Sequence, residues 1–171
     1  FNVPWAGGFN SVQFSEIDLN LDGIKDLFVF DRTGNRISTF INSGQANQIT
    51  YTHDPSYIQY FPKGLHDWVL LRDYNCDGKM DIFTSSSGGI GAYKNTSTSQ
   101  LSFVLDTNQI HTDVQPDSPT PSYINLFIST SNLPAFDDID NDGDLDILTL
   151  SIIGGRVEYH KNLSMERYGD C

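Results

Sequence analysis

The chain has 171 residues, enough for one ordinary domain with a real core, since domains commonly run about 100–200 residues. Its 22 acidic side chains against 10 basic ones give a formal charge of −12, which repels phosphate backbones and anionic headgroups and argues against nucleic acid as a partner. No apolar run approaches the roughly 20 residues of a membrane span, so no membrane insertion is expected. The chain starts without Met or a charged, then apolar, leader, and a soluble segment cut from something longer is expected.

In chain order, the first marked feature is a nine-residue aspartate-rich run, Asp18 to Asp26 (DLNLDGIKD). It returns without gaps as Asp73 to Asp81 (DYNCDGKMD) and Asp138 to Asp146 (DIDNDGDLD). These internal repeats start 55 and 65 residues apart, room for four short strands and their loops per unit. Each run leads into a short apolar, β-prone stretch: Leu27-Phe28-Val29-Phe30, Ile82-Phe83-Thr84 and Ile147-Leu148-Thr149-Leu150. Each reads as a buried strand. A glycine-containing turn follows (Thr33-Gly34-Asn35, Gly88-Gly89, Gly154-Gly155), then a strand closing on Phe40-Ile41-Asn42, Tyr93-Lys94-Asn95 or His160-Lys161-Asn162. The connections, about 43–66 and 96–133, hold strand candidates at Leu101 to Leu105 and Tyr123 to Ser129 beside the turn-rich stretch 115–121. No window keeps helical apolar spacing free of Gly, Pro or β-branched clusters. The chain therefore reads as all-β, in three four-stranded units at about 9–66, 67–133 and 134–171.

The repeated core is D-x-[DN]-x-D-G-x-x-D, with oxygen-bearing side chains at positions one, three, five and nine. Hard oxygen ligands at this density suit calcium, which takes six to eight oxygens at about 2.3–2.6 Å. A tightly turning loop points positions one, three and five inward while Leu19, Tyr74 and Ile139 face outward, and Gly23, Gly78 and Gly143 supply the sharp turn. The carbonyl of position seven (Ile24, Lys79, Asp144) completes the shell and the final carboxylate closes it. Without a cation, carboxylates held within about 4 Å repel by several kcal/mol per pair at an effective dielectric near 20. Three divalent ions take the formal charge from −12 to −6, making metal part of the fold. An EF-hand shares this beginning but needs a Glu at position twelve and flanking helices. Position twelve here is Val29, Thr84 or Thr149, which excludes it.

This pattern resembles the FG-GAP and VCBS repeats of integrin-α-like β-propellers, and the likeness covers most of the chain. The resemblance implies a partial propeller of three four-stranded blades continuing beyond the C-terminus, with about three calcium ions. It implies that Asp18, Asn20, Asp22 and Asp26 ligate one ion, Asp73, Asn75, Asp77 and Asp81 a second, and Asp138, Asp140, Asp142 and Asp146 a third. The run from Asn2-Val3-Pro4-Trp5 through the first loop to Tyr168-Gly169-Asp170-Cys171 also looks like the amino-terminal part of large secreted bacterial proteins exported by type IX secretion. That likeness implies a secreted or cell-surface adhesion or interaction scaffold, non-catalytic, with a protein or glycan and the secretion machinery as partners. The rival is an extracellular glycan-active enzyme whose site lies on the inter-blade loops, since one fold hosts many activities.

Other residues carry less. His53, His66, His111 and His160 share no ligand spacing, and Ser85-Ser86-Ser87-Gly88-Gly89 lacks the nucleophile-elbow pattern. Trp5, Trp68, Tyr57, Tyr60 and Phe61 read first as core packing and second as a carbohydrate platform. Asn95-Thr96-Ser97 and Asn162-Leu163-Ser164 match a glycosylation acceptor, which matters only in a eukaryotic secretory context. Two cysteines, Cys76 and Cys171, are too few for a disulfide framework, and the partner of Cys171 is left open, beyond the end of the chain included.

Overall fold

The structure, a computed structural model, describes residues 8–115, 120 and 122–171. Trp5 with the rest of residues 1–7, and the proline-rich turn at 116–119 and 121, lie outside the described residues. The first sheet is an antiparallel meander of β1 (Val12–Ile17), β2 (Asp26–Asp31), β3 (Arg36–Asn42) and β4 (Tyr51–His53), in that order. The second repeats it with β5 (Val69–Arg72), β6 (Asp81–Ser86), β7 (Gly89–Asn95) and β8 (Phe103–Thr107). A two-stranded ladder follows, β9 (His111–Asp113) with β10 (Tyr123–Asn125), and then a third meander of β11 (Ala135–Asp137), β12 (Asp146–Leu150) and β13 (Val157–His160). The described residues are all-β apart from a 3-10 helix at Pro55–Tyr60 and one short helix, α1 (Ser164–Tyr168). No helix among the described residues is long and apolar enough to cross a membrane.

Four strands are expected in every unit; the third sheet has three among the described residues, because the chain after β13 turns into α1. The strand expected over Leu101 to Leu105 is shifted to Phe103–Thr107, since Leu101 instead plugs the core at 2% exposure. The strand expected over Tyr123 to Ser129 stops at Asn125, beyond which Leu126 and Ile128 turn into a second core.

Two cores hold the sheets face to face. Ile17, Phe28 and Phe30 of the first sheet, with Leu19 from its loop, meet Val69, Leu71 and Ile82 of the second, closed over by Phe61, Leu65 and Leu101. Trp68, Phe83, Ile90 and Ala92 meet Leu126, Ile128 and Phe136, and the Phe83 and Phe136 rings stack at 4.1 Å. Fully burying one such side chain is worth about 1.5–3 kcal/mol, so Phe28 and Phe30, both at 0% exposure, are large contributors. β1 alternates strictly, and its buried side carries Gln13 and Ser15 as well as Ile17. Those polar groups are there for β5, whose Val69 N–H donates to Gln13 Oε1 at 3.0 Å and Leu71 N–H to Ser15 Oγ at 3.1 Å. Buried backbone donors need such acceptors. Trp68, wholly buried, belongs to the core and not to a binding platform.

A disulfide joins Cys76 to Cys171 across 95 residues. The pairing left open in the sequence is thus closed within the chain, and it ties the second aspartate loop to the segment after α1.

Candidate metal centre

Each aspartate run forms the connection between the first two strands of its sheet, joining β1 to β2, β5 to β6 and β11 to β12. The first aspartate folds the loop over itself. Asp18 accepts the N–H groups of Asp22 and Gly23 at 3.0 and 2.8 Å, Asp73 those of Asp77 and Gly78 at 3.2 and 2.8 Å, and Asp138 those of Asp142 and Gly143 at 3.0 and 3.1 Å. The fifth-position carboxylate accepts from the residue two further on, Ile24, Lys79 or Asp144, at 2.8, 2.9 and 3.2 Å. Asn20 and Asn75 at position three accept from the same N–H groups as position one, those of Asp22 and Asp77. Side chains capturing nearby backbone in this way are what Asp and Asn do in turns.

So tight a turn takes the backbone left-handed twice. Gly23, Gly78 and Gly143 have φ of 85°, 83° and 106°, and position four is left-handed too, with Leu21, Cys76 and Asn141 at 62°, 54° and 63°. The glycines are legible in the sequence. Position four is not, because of its three occupants only Asn141 belongs to a type enriched in that conformation.

The ninth aspartate is the most enclosed: Asp26, Asp81 and Asp146 are 1%, 0% and 0% exposed. Its two oxygens join loop to sheet. One accepts the N–H of Leu19, Tyr74 or Ile139 at 2.8, 3.2 and 3.2 Å, the other that of Asn42, Asn95 or Asn162 at 2.7, 2.7 and 2.8 Å. Those asparagines in turn accept from Gly44, Ser97 and Ser164 N–H, and two of them also donate back, to Lys25 O and Met80 O, each at 3.0 Å. Asn95 and Asn162 therefore hold the loop's exit strand, which gives the two acceptor-like triplets a structural purpose. The expectation that Leu19, Tyr74 and Ile139 all face outward is corrected: Leu19 is 1% exposed in the first core, Tyr74 is half-buried against Phe83, and Ile139 alone is open.

Burial of these carboxylates is costly when they are charged. It pushes Asp81 up to about 6, with the Asp77 and Asp73 charges acting in the same direction and two backbone N–H groups opposing. Asp26 is raised for the same reason. A divalent cation offsets such a cost directly.

The third loop concentrates charge further. Ligand oxygens of Asp138, Asp140 and Asp146 lie within 4.8 Å of one another, and so do those of Asp140, Asp142 and Glu166. Glu166 is missing from the sequence expectation, since it lies on α1, outside the repeat, and nothing in its spacing marks it. The Lys161 ammonium bonds Asp140 and Glu166 and lies 3.2 Å from Asp142, which holds it well above the usual lysine range. Asp144 departs from its counterparts Ile24 and Lys79 in being a buried acid, with one oxygen accepting Met165 N–H at 2.9 Å and Oδ1 without a partner. In the first two loops no three carboxylate oxygens of described residues converge as closely, consistent with Asn20 and Asn75 standing where Asp140 does.

No family model, curated protein or solved structure matches the chain.

The donor set fits a hard cation on its own terms. Three oxygens within 4.8 Å and an orphaned oxygen on Asp144 in the third loop, and the raised, buried Asp81 carboxylate in the second, are what an oxygen-preferring ion at about 2.3–2.6 Å would satisfy. Neither sulfur nor imidazole takes part, because the Cys76 sulfur is committed to its disulfide and His160 sits apart between the hydroxyls of Thr112 and Thr149.

Proposed function

We propose that the protein is a calcium-stabilised repeat scaffold, its sheets being consecutive blades of an integrin-α-like propeller that presents a binding surface outside the cell. The observation that carries this reading is threefold repetition at the level of hydrogen bonds. In all three loops the first aspartate takes the same two N–H groups, the fifth takes the seventh's, and the ninth clamps the second residue to the closing asparagine. Loops that merely turn have no need to bury a ninth carboxylate. Calcium would be held by the carboxylates at positions one, five and nine, with Asn20, Asn75 or Asp140 at position three; it would supply the positive charge that lets buried strand ends keep an ionised Asp. The chain's own residues shape the loop, exclude water from its base and pass its rigidity into β2, β6 and β12. The Cys76–Cys171 disulfide agrees with an oxidising compartment. Heating the metal-stripped protein with and without millimolar calcium tests the reading. A rise of several degrees in Tm with calcium, and none with magnesium, is expected; identical curves would overturn it.

A partner surface is suggested by a cavity of about 760 Å³ between the second and third sheets, bordered by Tyr74, Asp106, Tyr123, Tyr159, His160 and Arg167. Its size falls within the range of ligand sites, about 300–1,000 Å³. Aromatic rings with carboxylate acceptors favour a neutral glycan there, bound or cleaved, and this is where a glycan-active alternative would reside.

A further inference from the structure

The third loop differs from the other two in having two cation positions side by side, and one of them is filled by the protein itself. Asp138, Asp140 and Asp146 converge on one point, while Asp140, Asp142 and Glu166 converge on another, with Asp140 common to both. At the second point lies the ammonium of Lys161, bonded to Asp140 and Glu166 and 3.2 Å from Asp142. The structural counterparts of Lys161, each one residue before the clamped asparagine, are Ile41 and Lys94. Ile41 has no charge to offer, and Lys94 is exposed with no ion pair among the described residues. Two features specific to the third unit make the difference. Asp140 supplies a full charge where Asn20 and Asn75 have none, and α1 brings Glu166 over the loop.

We infer that Lys161 is a tethered counter-ion built into the third loop, so that this loop is already partly neutralised and takes calcium more weakly than its carboxylates alone would. This rests on the calcium reading above. A divalent ion at Asp138, Asp140 and Asp146 would share Asp140 with the ammonium and feel its positive charge a few ångströms away. The third loop then keeps its shape at lower calcium than it would without the lysine. Metal-free rigidity in the last unit suits a position where α1 and the disulfide must stay registered against the second loop.

Calcium titration calorimetry of the metal-stripped full chain, beside Lys161→Met and Lys161→Arg, tests the inference. The comparison is between each site in the unaltered protein and the same site in the variants. Lys161→Met should tighten one site alone by about tenfold or more, and Lys161→Arg, which keeps the charge, should leave that site as it is. Calcium affinities indifferent to Lys161→Met would overturn the inference while leaving the calcium reading standing; no calcium binding at any site would overturn both. A measurement free of substitutions guards against misfolded variants. In the ¹⁵N-labelled calcium-free protein, the Lys161 ammonium should give a slowly exchanging resonance, and its absence, with all lysine ammonium protons exchanging freely, would count against the tether.

Discussion

Asp81 shows at a single residue what a cation would offer the loops. Its carboxylate has no exposure to solvent, accepts from Tyr74 and Asn95 N–H, and is still pushed up to about 6, from the ordinary 3.8, by burial and by its neighbours Asp77 and Asp73. An acid whose folded value is raised binds its proton more tightly in the folded state. Its contribution to stability is therefore present below about pH 4 and lost as pH rises to about 6. A shift of some two units corresponds to roughly 3 kcal/mol at full effect. For the metal-stripped protein we predict that the urea midpoint falls between pH 4 and pH 6.5, that calcium removes the fall, and that Asp81→Asn flattens it without calcium. A midpoint independent of pH in the metal-stripped parent would contradict this. Asp81→Ala is expected to be worse than Asn at any pH, by about 2–5 kcal/mol, because it orphans two buried N–H groups at once.

At the scale of elements, the loop and the strand that follows it are one device. The glycine at position six carries a left-handed φ in all three loops, and nothing lies within 4 Å of where a Cβ would be placed on Gly23 or Gly78. Gly78→Ala should therefore cost only its backbone strain, about 1 kcal/mol, read as a small fall in Tm that calcium partly restores. A loss of several kcal/mol would mean that the loop serves something other than this turn. The loops, the strands after them and the glycines were legible because each depends on local chemistry: Asp and Asn capturing nearby N–H groups, then an apolar run. What was not legible depends on contacts distant in sequence. Gln13 and Ser15 serve β5 from 56 residues away, and Glu166 reaches the third loop only because α1 turns back over it. Leu19 was misjudged because alternation in the loop says which side chains leave the ion but not that the first core lies on that side.

At the scale of the molecule, the first sheet packs on the second through one core and the second on the third through another, and Arg32 after β2 also donates to Thr130 O. With two cores in place of one, cross-links matter. The Cys76–Cys171 disulfide fastens the second loop to the chain after α1, and both sulfurs lie near Gly143 O of the third loop, at 3.7 and 3.4 Å. Closing a loop of 95 residues is worth about 4–5 kcal/mol in the chain-entropy picture. Cys76→Ser with Cys171→Ser should lower stability by about 2–5 kcal/mol, with hydrogen exchange rising first in β11 to β13; uniform loosening of all three sheets would show that the stack is one cooperative block. The central claim, that three aspartate loops are calcium sites on which the fold relies, is tested most directly by calorimetric calcium titration of the metal-stripped chain with circular dichroism recorded before and after. The account predicts about three ions bound and a gain of β signal. No binding, or binding with an unchanged spectrum and unchanged stability, would contradict it.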